Sequence, residues 1–496
     1  MIIRQFTTLT VAVAAVCALT AAADTGDGSD HEGLARVSAA TPFSADCNGP
    51  AFPVSAAYVN AEVEPYVAVN PANANNLIAV YQQDRYPDDG ANGVLAATSS
   101  DGGRTWQVPA LREQPPFSRC AGGNEANGGD FDLASDPWVD IAPDGTAYFA
   151  ALSFNKSNAG TAEFVAVSTT GGRSWEPPIA VIRENIPDVS DERPSVTADP
   201  TRAHTAYLVW ARHRSAPAST AAGAVYFSRS SDGGKHWSAA RAIYETALGM
   251  QTSANQIVVT PAGELVNVFN ELALDAGSKH PRHDRIAVIR STDGGSNWSQ
   301  PTTLATSAVA GVADPRNGEL IRAGDSFTDI AVDPRPGTNT IYAVWADSRF
   351  TDGRMQQIVL AKSADGGKSW EDPIAVPAER GAQDFVPSVA VNSLGEVAVT
   401  YYGFATGQPP SAELMTHYWI TLSKDGGHSW MPAQQLTRRP FDLRTAPFNR
   451  GLFLGEYQGL AAAGTKFIAV AALANGHSLE NRTDIYTLRA PGITRR

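Results

Sequence analysis

Three short stretches carry an arginine just past a β-rich run: Tyr81-Gln82-Gln83-Asp84-Arg85, Trp210-Ala211-Arg212-His213-Arg214 and Trp345-Ala346-Asp347-Ser348-Arg349. A guanidinium presents parallel N–H donors, the geometry that grips a carboxylate or sulfate. Arg85, Arg212 and Arg349 are therefore candidates for holding an anionic ligand, with Asp84 and Asp347 beside them. The alternative is local, each arginine bracing its own loop by pairing with a neighbouring aspartate. A second set of charged residues stands at the starts of other apolar runs: Glu64, Asp136, Glu192 with Arg193, Asp325 with Asp329, Asp384, and Glu456 with Tyr457. Carboxyls gathered in one place could supply a general acid and base, or could bind a cation such as Ca²⁺ through oxygen ligands. They could equally line a solvated channel. The chain has neither an EF-hand loop nor a His/Cys zinc spacing, so no cofactor is expected and a structural Ca²⁺ is the metal left open.

Elements that could bring these residues together recur along the chain. Six copies of Ser-x-Asp-x-Gly-x-x-Trp begin at Ser99, Ser168, Ser230, Ser291, Ser363 and Ser423, at intervals of about 60 to 70 residues. Only the second departs, with Thr170 in place of Asp. A short Asp side chain accepts hydrogen bonds from the turn's own amides, paired glycines supply positive φ, and the Trp staples the hairpin to a sheet. Repetition at such a period belongs to arrays in which each unit buries its face against the next. Each copy follows a β-rich run and is preceded by a pair of strands joined by an Asn/Asp/Pro/Gly turn, as in Pro65 to Gln83 or Phe327 to Trp345. Seven such inner pairs occur against six Trp-ended hairpins, and the chain stops soon after Thr483 to Arg489. The expected architecture is all-β, a propeller of seven four-stranded blades rather than six. A strand from the N-terminal side, Phe52 to Val59, is expected to close the last blade.

The repeated octapeptide is the Asp-box, or BNR, motif, and the chain resembles the sialidase-like β-propellers over nearly its whole length. That resemblance implies that the Asp boxes are structural and lie on the rim away from the chemistry. It also implies an arginine triad for a sugar carboxylate, a Tyr nucleophile activated by Glu, and an Asp acid/base. Glu271 and Arg285 are placed like the activating Glu and second Arg, Tyr457 like the nucleophile, and Asp84, Asp88 or Asp89 like the acid. The family's Arg-Ile-Pro motif at the first inner strand is absent: Glu64-Pro65 stands there, and the nearest counterpart is Arg193-Pro194. Asp boxes also occur in other glycosidases, in lyases and in proteins that only bind, so the scaffold motif does not assign the reaction.

The residues expected to contact substrate are Arg85, Arg193, Arg212, Arg285, Arg349, Asp347 and Glu456, with Asp84, Glu271 and Tyr457 catalytic. The leading expectation is a sialidase-like glycoside hydrolase acting on an acidic glycan or polysaccharide. A binding propeller without catalysis and a lyase acting on uronate polymers are the rivals. A net charge of −13 argues against nucleic acid or an anionic membrane as partner. Residues 1–23 read as a signal peptide, with Arg4, an apolar stretch and Ala21-Ala22-Ala23, so a secreted protein is expected. Residues 24–45 read as a flexible leader and 46–496 as a single domain, expected to be a monomer with no membrane span. Of the three cysteines, Cys47 and Cys120 survive removal of residues 1–23, and a disulfide between them is expected.

Overall fold

The computed structural model describes residues 31, 33–48, 56–214, 221–274, 282–325, 327–379, 381–406, 413–476 and 478–489. The expected signal peptide, residues 24–30 of the leader and Phe52 to Ser55 lie outside them. The described chain is all-β, with three short 3₁₀ turns as its only helices. None of its helices is long and apolar enough to cross a membrane.

Strands follow one another as antiparallel meanders. The first comprises Tyr58–Val69, Leu77–Arg85 and Ala91–Ser99. The second comprises Leu133–Ile141, Ala147–Phe154, Gly160–Ser168 and Ile179–Asn185, and the third Val189–Ala198, Ala206–Arg214, Ala222–Ser230 and Arg241–Glu245. Met250–Val259, Leu265–Ala273, Arg282–Ser291 and Thr302–Thr306 form the fourth. Asp329–Val332, Ile341–Asp347, Gln357–Ser363 and Ile374–Ala375 form the fifth. The sixth runs through Ala382–Val391, Val397–Ala405, Met415–Ser423 and Gln434–Gln435. Gly459–Ala463, Lys466–Ala474 and Thr483–Arg489 are the last.

Second strands are buried along their length, as in Leu77–Arg85 and Ile341–Asp347, because both faces are covered by neighbouring sheets. Their mixture of β-branched, aromatic and alanine residues fits that close stacking. Outer strands such as Ile179–Asn185 are half exposed. The apolar core therefore lies between adjacent sheets rather than at one centre.

The six hairpins behave as turn chemistry requires. In the first, Oδ1 of Asp101 accepts the amides of Arg104 and Thr105 at 2.9 and 3.0 Å, while Ser99 Oγ accepts the Gly103 amide at 2.8 Å. Thr170 does part of the same task, its hydroxyl accepting the Ser174 amide at 3.0 Å. The second glycine of a hairpin packs on the preceding meander: at Gly234, with φ of 83°, a β-carbon would sit 2.6 Å from Val167. The first hairpin reaches the last strand instead, where Trp106 Nε1 donates to Thr487 Oγ1 at 2.6 Å.

The N-terminal segment differs from expectation. Ala35–Arg36 pairs antiparallel with Tyr486 and Thr487, Val37 donates to the Ile485 carbonyl at 2.7 Å, and Arg36 pairs with Asp484. Val37 and Phe43 are buried, and Thr41 donates to Asp84 and Asn60 while Phe43 lies against Gly93, so this part of the expected flexible leader is held by the last and first meanders. That sheet edge offers unpaired main-chain groups, which a small polar segment can satisfy. Ala35–Arg36, upstream of the Phe52 to Val59 stretch expected there, lies beside the last strand, and Ala61 of the first meander also pairs with it, parallel, at Thr483, while Phe52 to Ser55 lie outside the described residues. Cys47 and Cys120 form the expected disulfide, with Cα atoms 5.7 Å apart.

Candidate functional site at the mouth of the inner strands

Inner strands share a distortion that aims side chains at one rim. Glu64, Asp136, Arg193, Ala254 and Val386 have φ of 53°, 53°, 55°, 52° and 50°, each at a register shift in its ladder. Left-handed backbone costs a non-glycine residue about 1 to 2 kcal/mol, and such strain persists where surrounding structure imposes it. Proline follows in four of the five, as Pro65, Pro137, Pro194 and Pro387, which disfavours helical backbone at the preceding residue. A bulge reverses the alternation of the strand, so the residue at the bulge turns toward the mouth.

Glu64, Asp136 and Arg193 meet there with residues from two loops. Glu456, from the loop before the last meander, pairs with Arg193. Arg322 reaches the same carboxylate, with Nε 3.1 Å from Oε1 and Nη2 3.1 Å from Oε2. Its Nη1 donates to Asn449 Oδ1 at 2.5 Å. The Arg193 amide donates to Asp136 Oδ2 at 3.1 Å, and the Glu456 amide to Glu64 Oε1 at 3.1 Å. Arg85 donates to Gln82 Oε1 at 2.8 Å and pairs with Asp89 at 3.3 Å. Phe453 lies between two guanidiniums, with Arg85 Cζ 5.1 Å and Arg322 Cζ 4.6 Å from its ring centre.

Electrostatics separate the carboxyls. Burial pushes Glu192 up to about 8, reinforced by Asp89 and Asp136. Burial, with Asp136 and Glu456 nearby, raises Glu64 to about 7. Burial opposes ionisation of Asp89 and Glu456 too, but arginines outweigh it: Arg85, Arg322 and Arg450 hold Asp89 low, and Arg193 and Arg322 hold Glu456 down to about 2. Protonated and ionised carboxyls therefore coexist in one mouth near neutral pH.

Of the residues expected from sequence, the mouth brings together Arg85, Arg193 and Glu456. Arg212 pairs instead with Glu184 and lies 3.8 Å from Asp191. Arg349 folds back on Asp347 at 2.8 Å and donates to the Thr306 carbonyl at 2.5 Å. The partners of Arg85, Arg212 and Arg349 are disjoint, so the expected convergence of these three is corrected: Arg349 braces its own loop through Asp347, whereas Arg212 is held across to Glu184 on the outer strand of the second meander. Glu271 accepts from Tyr244 and from Arg285 Nε at 2.5 Å, in a cluster between the third and fourth meanders. Arg285 also donates to Thr303 Oγ1 at 3.0 Å. Asp84 has φ of 61°, which breaks the alternation and puts Gln82 and Arg85 on the mouth side. Its own carboxylate turns the other way, accepting from Thr41 Oγ1 at 2.7 Å and from the Asn60 amide at 2.8 Å.

Tyr457 is buried among Tyr66, Trp138 and Phe327, with ring centres 6.4, 5.4 and 5.3 Å away. Beyond Tyr66 and Trp138 a channel of about 370 Å³ opens toward the opposite rim, lined by Ile257, Ile330 and Leu460 among others. Sequence reasoning missed Arg322 and Asn449. The one available signal was a cation, Arg322, three residues before Asp325 in a segment that leads into an inner strand. Among the described residues no group of three or more His, Cys, Asp or Glu is arranged to hold a metal ion.

These features define a class: an all-β repeat chain with Asp-box hairpins and a charged mouth at its bulged inner strands. Residues 136–320 match the family model described as a BNR repeat-like domain. A curated sialidase of Bacteroides fragilis (strain YCH46) is 25% identical over 193 residues, 35% of this chain. The match spans 33%, about a third, of that relative's length. Among solved structures, a Hadza microbial sialidase is similar with a TM-score of 0.45 and 14% identity, covering 84% of this chain and 74% of that one. The Penicillium chrysogenum alpha-L-arabinanase complexed with arabinobiose has a TM-score of 0.47 and 11% identity, over 92% and 98% of the two chains.

Proposed function

We propose that the protein is a secreted glycoside hydrolase, a seven-bladed propeller closed by its N-terminal segment, that cleaves a glycan at the mouth formed by Arg193, Arg322, Glu192, Glu456 and Asp89. The observation that carries this reading is the split between Glu192, raised to about 8, and Asp89, held low by arginines. Glycosidic cleavage needs one carboxyl that gives a proton to the leaving oxygen and another that is ionised as base or nucleophile. Glu192 is the acid and Asp89 its ionised partner. Arg193 and Arg322 position the sugar, while Glu456 keeps both guanidiniums in place. No cofactor enters the reaction, and the protein acts as a monomer.

The test is release of reducing ends from a glycan panel by the mature protein. Glu192→Gln and Asp89→Asn should each lower kcat roughly a hundredfold or more while sugar affinity persists. Equal turnover in wild type and both variants would remove these residues from the chemistry. A second reading, a propeller that binds glycan without cleaving it, is favoured by the enclosure of Tyr457 and the engagement of Glu271 with Tyr244 and Arg285. It is supported instead if glycans bind and no reducing ends appear.

A further inference from the structure

Resting on the glycosidase reading, we infer that the sugar held at this mouth is uncharged, because Glu456 already occupies the arginine fork that an acidic sugar would need. Both Glu456 oxygens are engaged by Arg322, at 3.1 Å each, and Arg193 pairs with one of them. The remaining described contacts of these guanidiniums are also intramolecular, with Arg322 donating to Asn449 and Arg193 to Ser253. A carboxylate ligand would have to displace Glu456, leaving a side chain that is only 10% exposed as an unpaired buried charge. Arg85 cannot substitute: it is 1% exposed and committed to Gln82 and Asp89. Arg450 is exposed at the lip, yet it faces the carboxylates of Asp89 and Glu456.

The same arrangement suits neutral hydroxyls. A sugar hydroxyl both donates and accepts, so it can bridge from a carboxylate oxygen to a neighbouring guanidinium N–H without displacing either. The mouth alternates such groups: Glu64 and Asp136 at bulges, Arg193 beside them, and Glu456, Arg322 and Asp89 from loops. Ala254 and Val386 hold the equivalent bulge positions in the fourth and sixth meanders, so those two bulges add no charge. The arginines are thus placed as scaffolding for carboxyls and as donors to hydroxyls. This replaces the acidic sugar expected from the sequence.

The experiment uses the full mature chain and matched pairs of glycans. These are uronate polysaccharides beside their carboxyl-reduced forms, and sialylated oligosaccharides beside their desialylated forms. Binding is followed by calorimetry and cleavage by reducing ends. The expected result is at least tenfold preference for the neutral member of a pair, little changed between 0.05 and 0.5 M NaCl. Glu456→Gln, which frees the arginine pair, should shift that preference at least tenfold toward the acidic member. Should the variant fail to fold, the wild-type comparison decides alone. A wild type that prefers the acidic member tenfold overturns the inference and leaves the glycosidase reading standing. Binding of neutral members without cleavage supports the inference and overturns the glycosidase reading. A panel with no binding and no cleavage overturns both.

Discussion

The Tyr457 hydroxyl donates to the main-chain carbonyl of Pro137 at 3.1 Å, inside an aromatic group that closes the mouth from below. Burial, with Glu64 and Asp136 nearby, pushes its ionisation well above the usual tyrosine range, the reverse of what a phenolate nucleophile needs. Tyr457→Phe is therefore expected to leave kcat within about threefold and to cost about 1 kcal/mol of stability from the lost hydrogen bond. Steady-state kinetics and urea unfolding check the two parts. A thousandfold fall in kcat would restore Tyr457 to the chemistry.

The disulfide spans 73 residues and ties the N-terminal segment to the loop that follows the first hairpin. Labelling of denatured, unreduced protein should find no free thiol at Cys47 or Cys120. Replacing both by Ser should lower stability by about 2 to 4 kcal/mol, the typical contribution of a disulfide. Two labelled cysteines in the oxidised protein would contradict the bridge.

Asp365→Ala should cost about 1 kcal/mol, because Oδ1 accepts the amides of Lys368 and Ser369 at 2.9 Å each and Oδ2 the Ser369 hydroxyl at 2.6 Å. These groups belong to a hairpin rather than to the mouth, so glycan affinity should not change. Unaltered melting with lost affinity would contradict that structural role.

How legible each part was follows from the range of the interactions. Asp boxes and strand pairs were readable because turn bonds join residues two to four apart and strands alternate with period two. Arg193 and Glu456 were readable because an inner-strand start faces the mouth whatever its partner. Arg212 and Arg349 were not distinguishable from Arg85, since the three stretches look alike. Their fates are set by Glu184 on the outer strand of another meander, by Asp347 two residues back, and by the left-handed turn at Asp84. Arg322 lies in a segment without a repeat counterpart, so no periodicity marked it.

Stability should peak in mildly acidic solution. Burial raises Asp329 to about 7 and, with Glu379, Asp384 to about 8, alongside Glu64 and Glu192. A carboxyl raised on folding holds its proton more tightly when folded, so its contribution is whole below about pH 4 and is lost as pH climbs toward 7 and 8. The hairpin aspartates run the other way: bonds to Thr105 and Ser99 outweigh burial and hold Asp101 at about 2, a contribution present above about pH 4 and lost as pH falls toward 2. Melting temperature is expected to be highest at about pH 4 to 5, where the two windows meet, and lower at about pH 8.5. A rise from pH 6 to 8.5 would show that these buried carboxyls are ionised without penalty.

The pH dependence of kcat/KM should have two limbs that share a cause. The proposed mechanism needs Glu192 protonated, so activity is expected to fall as pH rises through about 8. It also needs Asp89 ionised, which the surrounding arginines permit below the ordinary aspartate range, so the acid limb lies at low pH. Arg322 favours the ionised form of both groups. Arg322→Met removes that cation without adding a partner, and both limbs should then move to higher pH, with the acid limb entering the measurable range. Asp89 also loses an attraction that opposed its burial, whereas Glu192 is dominated by burial itself, so the acid limb should move further than the alkaline one. Limbs that stay in place while KM rises would mean that Arg322 only positions the sugar, and limbs that move to lower pH would contradict the assignment of Glu192 and Asp89.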